Sequence, residues 1–216
     1  MCTFENKDGK EILLKMVTAI QTHKEYLGDI DGLIGDGDHG ANMNKGFSVF
    51  EARLGKEEFS FSEGLQELSM ILMNEIGGSM GPIYGMIFMG MADAIEEENA
   101  ESIDLKTFVN AVEQGLRNLS EIVEARPGDK TLVDTLYRSV VSLKESVVQG
   151  ESFAEALEKM KTAAEKGRNS TKDMTAKFGR SSRLGERSRG VLDAGACSCC
   201  LLLQAMADGI TEQLNM

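Results

Sequence analysis

Apolar side chains recur along this chain at intervals of three and four residues, and no run alternates apolar with polar residues for long enough to predict a strand. The pattern predicts an all-α protein. Ile12, Leu13, Met16, Val17 and Ile20 mark a first helix, and a second begins near Asn42 and carries Phe47, Phe50 and Leu54. Ser62 followed by Leu65, Leu68, Ile71 and Leu72 predicts a third, ended by Gly77-Gly78, and a fourth starts after Pro82 with Ile83, Ile87, Met91 and Ala94. Phe108, Val112, Leu116, Leu119 and Val123 define a fifth, stopped at Arg126-Pro127-Gly128-Asp129; Leu132, Leu136, Val140, Leu143 and Val147 define a sixth. Ser152-Phe153-Ala154-Glu155 is a capping box that opens a seventh through Leu157, Met160 and Ala164, continuing past Thr171 to Lys177. After a connection rich in glycine and arginine from Gly179 to Gly195, the eighth helix runs from Ala196 to about Gln213. No sequence period repeats, which argues against a solenoid.

Four connections are polar and glycine-rich: Asp31 to Asn42, Gly77 to Gly85, Pro127 to Thr131, and Gly179 to Ser188 running into Asp193-Ala194-Gly195. They alternate with helix pairs, so in an up-and-down bundle all four fall at one end and would build a site there. Three enter a helix whose first backbone N–H groups lack partners within the helix and can bind phosphate oxygens, near Ala41-Asn42, Gly81 and Thr131. Lys130, Arg180 and Arg187 are candidate positive charges for the same oxygens.

The first of these connections carries the chemistry. Asp31, Asp36 and Asp38 stand among Gly32, Gly35, Gly37 and Gly40, and carboxylates held this close repel unless a cation neutralises them. Hard oxygen ligands select magnesium, calcium or manganese over zinc or copper. The spacing does not stack the three on one helical face, so Asp36 and Asp38 project from a loop. An EF-hand is excluded, because the alternating oxygen ligands and the distal glutamate of that loop are missing after Asp38. Magnesium shared with phosphate oxygens is the better reading; the alternative is a solvated acidic turn that caps the next helix.

Composition narrows the partners. The formal charge of −12 and the lack of a basic cluster at either terminus argue against nucleic acid and against an anionic membrane surface. No basic start leads into an apolar run and no window approaches a membrane span, so the expectation is a cytosolic protein, one domain over residues 1–216. Cys197, Cys199 and Cys200 crowd into one apolar segment and read as buried thiols rather than a zinc site, since the only histidines are His23 and His39.

The combination of Ile34 to Met43, Gly77-Gly78 with Gly81-Pro82 and Tyr84-Gly85, Pro127 to Thr131 with Asp134, and Gly179-Arg180 with Leu184 to Ser188 resembles the L, or nucleotide-binding, subunit of dihydroxyacetone kinase, over nearly the whole chain. The resemblance implies an eight-helix, up-and-down closed barrel with the nucleotide and metal site at one end. It implies two magnesium ions, held by Asp31, Asp36 and Asp38, that carry the phosphates of ADP or ATP. It further implies that His39, Gly40, Ala41 and Asn42 contact phosphate or ribose, that Ser79 and Met80 lie in a second phosphate loop, that Leu132 lies by the adenine, and that Arg180, Asp193 and Gly195 close the site. The ketose would be held by a K-type partner subunit through a histidine, and no residue of this chain is assigned as catalytic. At 216 residues the chain matches the stand-alone bacterial form, in which a phosphotransferase-system protein rephosphorylates the bound ADP; a homodimer is compatible with it.

Several positions depart from the family pattern. Met80 replaces a serine, Ile122-Val123-Glu124 replaces a Gly-Gly-Lys stretch near the adenine, Ala194 replaces a proline, and Arg183 and Arg189 stand where neutral residues are usual. These leave open a paralogue acting on another ketose or a sugar alcohol, or a non-catalytic regulator that senses a nucleotide. A purely structural adaptor would not explain three aspartates in a glycine loop.

Overall fold

A computed structural model describes residues 2–215 of the chain. Eight long helices follow one another: α1 (Lys10–Ile34), α2 (His39–Leu54), α3 (Phe61–Glu75), α4 (Met80–Glu97), α5 (Leu105–Ile122), α6 (Leu132–Gln149), α7 (Phe153–Ser170) and α8 (Ala194–Leu214). Each packs against the next, and α8 packs back on α1, so the up-and-down bundle closes into a ring. One continuous cluster of buried side chains, from Phe4 to Ile210, fills it. At the α1–α8 seam the backbones meet at Gly209, where a Cβ would lie 2.9 Å from the Cα of Ile12, so the closing contact requires glycine.

Local chemistry sets the helix limits. Ser60, Thr131 and Ser152 each open a helix with a reciprocal capping box, pairing with Glu63, Asp134 and Glu155. The third helix therefore begins ahead of Ser62. The fourth begins at Met80, with Pro82 inside its first turn. The seventh does not reach Lys177: it stops at Ser170, tightens into a 3-10 turn over Thr171–Asp173, and Met174 is extended. The connection from 179 to 195 is not irregular throughout, since Arg180–Ser188 winds into 3-10 turns broken at Gly185.

Two short strands, β1 (Phe4–Glu5) and β2 (Ser102–Ile103), pair antiparallel at the end of the ring away from the four polar connections. Each is two residues long, too short for alternation to register in the sequence, yet Phe4 and Ile103 are both buried. Near the same end, Cys2 Sγ lies 3.7 Å from the carbonyl of Leu214, so the two ends of the described chain meet there. Contrary to the sequence expectation, α8 does have the length and mean hydropathy of a membrane span, and 72% of that window is buried in the barrel. Its thiols Cys197, Cys199 and Cys200 are buried and unpaired.

Candidate functional site

The last turn of α1 carries Asp31, and the four-residue link to α2 carries Asp36 and Asp38. One carboxylate oxygen from each lies within 4.8 Å of the others. Gly40 explains how the link is held so tight: a Cβ there would sit 1.8 Å from the Lys24 carbonyl, so α2 starts pressed against α1. Asp38 stands at the N-cap of α2, yet its side chain makes no capping bond. That argues against a turn built merely to start a helix. Asp31 Oδ2 accepts a long 3.4 Å hydrogen bond from the His39 N–H, and Asp36 Oδ2 lies 2.6 Å from the Arg180 guanidinium. A cluster of anionic oxygens balanced by one arginine fits a hard divalent cation.

All four polar connections converge. A cavity of about 650 Å³ is lined by residues of the α1–α2 link, the α3–α4 loop, the α5–α6 loop and the segment between α7 and α8. This is the size of a small-molecule site. Asp31, Asp36, Asp38, His39, Asn42, Ser79, Met80, Leu132, Arg180, Asp193 and Gly195 all line it. Gly40 and Ala41 are not among the lining residues but stand in the first turn of α2, Gly40 buried and Ala41 exposed, where N–H groups lack helical partners.

Beneath the cavity the starts of three helices are bolted together. His39 Nε2 and Ser198 Oγ are hydrogen-bonded at 2.7 Å, Tyr84 Oη and Ser198 Oγ at 2.6 Å, and Tyr84 also donates to the Gly195 carbonyl at 3.1 Å. Burial lowers the His39 pKa to about 4, against the opposing pull of Asp31, so the imidazole is neutral and committed to the floor. Ser198 escaped the sequence reading because it sits inside the cysteine segment of α8; its one signal was a hydroxyl on an otherwise apolar helix face.

At the start of α4, Ser79 is exposed and its hydroxyl makes no capping bond, while Met80 is half-buried and packs against the core. The α5–α6 loop is braced by its own acids. Asp134 accepts from the N–H groups of Gly128 and Thr131 at 2.5 and 2.9 Å, and Asp129 from the Arg126 N–H and the Lys177 ammonium at 2.7 and 2.6 Å. Asp193 accepts from the Ala196 N–H at 2.7 Å to cap α8. Burial raises its pKa to about 6, with Lys130 pulling the other way.

Two of the three expected positive charges are not free to meet a ligand: Lys130 lines the cavity but turns its ammonium away from it, and Arg187 is not part of the wall. Lys130 is fully buried, and its ammonium donates to the carbonyls of Thr171 and Val191; this bonding also helps to end α7 at a tight turn. Arg187 lies outside the cavity wall, among the 3-10 turns. Arg180 is the one at the aspartates. Sequence reasoning also missed the apolar wall of Ile83, Tyr84, Val133 and Phe178, since apolar residues in helical register read only as core.

The family model of the DAK2 domain matches residues 33–208. The chain is 37% identical over 189 residues to the ADP-binding subunit DhaL of the PEP-dependent dihydroxyacetone kinase of Escherichia coli, covering 86% of this chain and 88% of that one. It is 35% identical over 188 residues to subunit DhaL of PEP-dependent dihydroxyacetone kinase 1 of Listeria innocua, covering 87% and 88%. It is also 35% identical to the DhaL subunit of the PTS-dependent dihydroxyacetone kinase of Lactococcus lactis, covering 92% and 94%. The crystal structure of the dihydroxyacetone kinase of C. freundii superposes with a TM-score of 0.72 at 19% identity, over 96% of this chain and 36% of that longer one. A second structure of the C. freundii enzyme, in complex with AMP-PNP and Mg2+, superposes with a TM-score of 0.67 at 18% identity, over 93% and 33%.

Proposed function

The chain belongs to the DAK2-domain family, and from that premise we propose that it is the nucleotide-carrying subunit of a cytoplasmic dihydroxyacetone or related ketose kinase. It passes a phosphoryl group to a ketose held by a K-type partner subunit. The observation that carries this reading is the convergence of four loops on one cavity with three carboxylates at its wall. The relatives' names support ADP as the nucleotide and a phosphotransferase-system protein as donor.

Asp31, Asp36 and Asp38 would hold magnesium, two ions on the family pattern, which neutralises phosphate charge during transfer. The first turns of α2 and α4 offer N–H groups to the phosphates, with Asn42 and Ser79 beside them. Arg180 adds a guanidinium beside Asp36, and Leu132, Val123 and Phe178 form an apolar wall suited to a base. What these residues do is position and neutralise; the attacking hydroxyl comes from the ketose.

The absence of a ketose anchor supports the partner. His39 is bonded to Ser198, and His23 is bonded to the Ala19 carbonyl from Nδ1 and does not line the cavity. Neither imidazole is placed to hold a carbonyl substrate in the cavity, His39 being committed to Ser198 and His23 lying outside the lining. Calorimetry of the purified chain with ADP, with magnesium and then with chelator, tests the reading. Tight binding that vanishes with chelator is expected; binding that ignores chelator, or no binding at all, overturns it.

A further inference from the structure

Lys130 is one of the largest fully buried side chains of the protein, and its backbone is in the left-handed region at φ +63. A non-glycine residue adopts that conformation only where its surroundings impose it. Its ammonium forms no ion pair among the described residues, although the charges of Asp193, Asp134 and Asp173 act on it from nearby. It donates instead to two main-chain carbonyls, Thr171 at 2.5 Å and Val191. Burying an ammonium costs more than two neutral hydrogen bonds return, so an apolar side chain would serve the core better.

The two carbonyls explain the charge. Thr171 opens the segment that joins α7 to α8 and Val191 lies two residues short of its end, and this segment carries Phe178 and Arg180 to the cavity. Further bonds close the same base: the Gly190 N–H donates to the Lys172 carbonyl at 2.7 Å, and the Asp193 N–H to Thr171 Oγ1 at 3.0 Å. With its ends held together, the loop stands as one compact unit and Arg180 reaches Asp36 without first paying to order the chain.

We propose that Lys130 is a positioning residue, a staple across the base of the 172–190 loop that sets where Arg180 stands over the aspartates. The functional half of this rests on the nucleotide reading given above; the structural half does not.

Lys130→Met and Lys130→Gln separate the two. Trypsin cutting after Arg180, Arg183 and Arg187, measured without nucleotide, should speed up roughly tenfold in the methionine variant and less in the glutamine variant, which keeps a donor. Affinity for Mg-ADP should fall roughly tenfold, the effect of one lost charge-assisted contact. In an Arg180→Gln background the same substitution should weaken Mg-ADP no further, because the staple acts through that arginine. Unchanged loop cleavage overturns the staple. An equal loss of affinity in both backgrounds, or failure of both variants to fold, assigns Lys130 to the core alone and overturns the positioning role. A native chain that does not bind Mg-ADP overturns the functional reading, and the cleavage rates still decide the staple.

Discussion

Asp36 and Asp38 are two residues apart and carry the same charge, but they meet different neighbours. Asp36 is already balanced by Arg180, whereas Asp38 has neither an ion pair among the described residues nor a capping bond. Asp36→Asn and Asp38→Asn should both abolish magnesium-dependent ADP binding with the helical circular-dichroism signal intact. Without ligand, Asp38→Asn should raise the melting temperature slightly and Asp36→Asn should not, because of these two Asp38 is the one whose repulsion is uncompensated. ADP affinity unchanged in both would remove the metal assignment. The start of α4 gives the second test. The Ser79 hydroxyl is unused and Met80 packs inward, so Ser79→Ala should weaken Mg-ADP by about 1.5 kcal/mol while Met80→Ser brings no gain and costs about 1–2 kcal/mol of stability. Tighter binding in Met80→Ser would reverse that division of labour. The aspartates were legible in the sequence because like charges among glycines have few structural explanations. Lys130 was misread because sequence shows that a charge exists, not which way it points.

Helices were legible because burial imposes their period, and five buried residues of α1 were enough to mark it. Their ends were less so. Capping boxes at Ser152 and Thr131 have local signatures, but the end of α7 depends on bonds to Thr171 from residues 41 and 22 positions away. No local pattern encodes those. The two-residue strands escaped for the opposite reason, being too short to show any period. For α8, the apolar run correctly indicated buried thiols. Burial holds the Cys197 pKa up at about 12 and the Cys200 pKa at about 11, with Cys199 higher still, so these thiols stay protonated. An Ellman titration of the native protein near pH 8 should therefore count one reactive thiol, the exposed Cys2, and four after denaturation. A second fast-reacting thiol in the native state would mean that α8 is not sealed in the ring.

For the whole molecule, the convergence of the four loops followed from parity: in an up-and-down ring, every second connection lies at the same end. The depth of the cavity, and the Tyr84–Ser198–His39 contact beneath it, did not follow, since they depend on which side chains meet once the ring closes. A cavity without an available imidazole should bind Mg-ADP alone yet leave dihydroxyacetone unphosphorylated until a ketose-binding partner is added. Product formed by the purified chain with ATP and dihydroxyacetone would contradict this and demand a sugar site within the ring. The same parity that gathers the loops sends both ends of the described residues to the opposite side, where Cys2 meets Leu214. With α1 at 25 residues, that is about 37 Å from the mouth at 1.5 Å per residue. Anything covalently attached at either end is thus held a full barrel length from the nucleotide pocket. At about 3.3 Å per extended residue, a tether shorter than roughly eleven residues cannot bring such an attachment back to the mouth, and a shorter fusion leaves that face to partners arriving by diffusion.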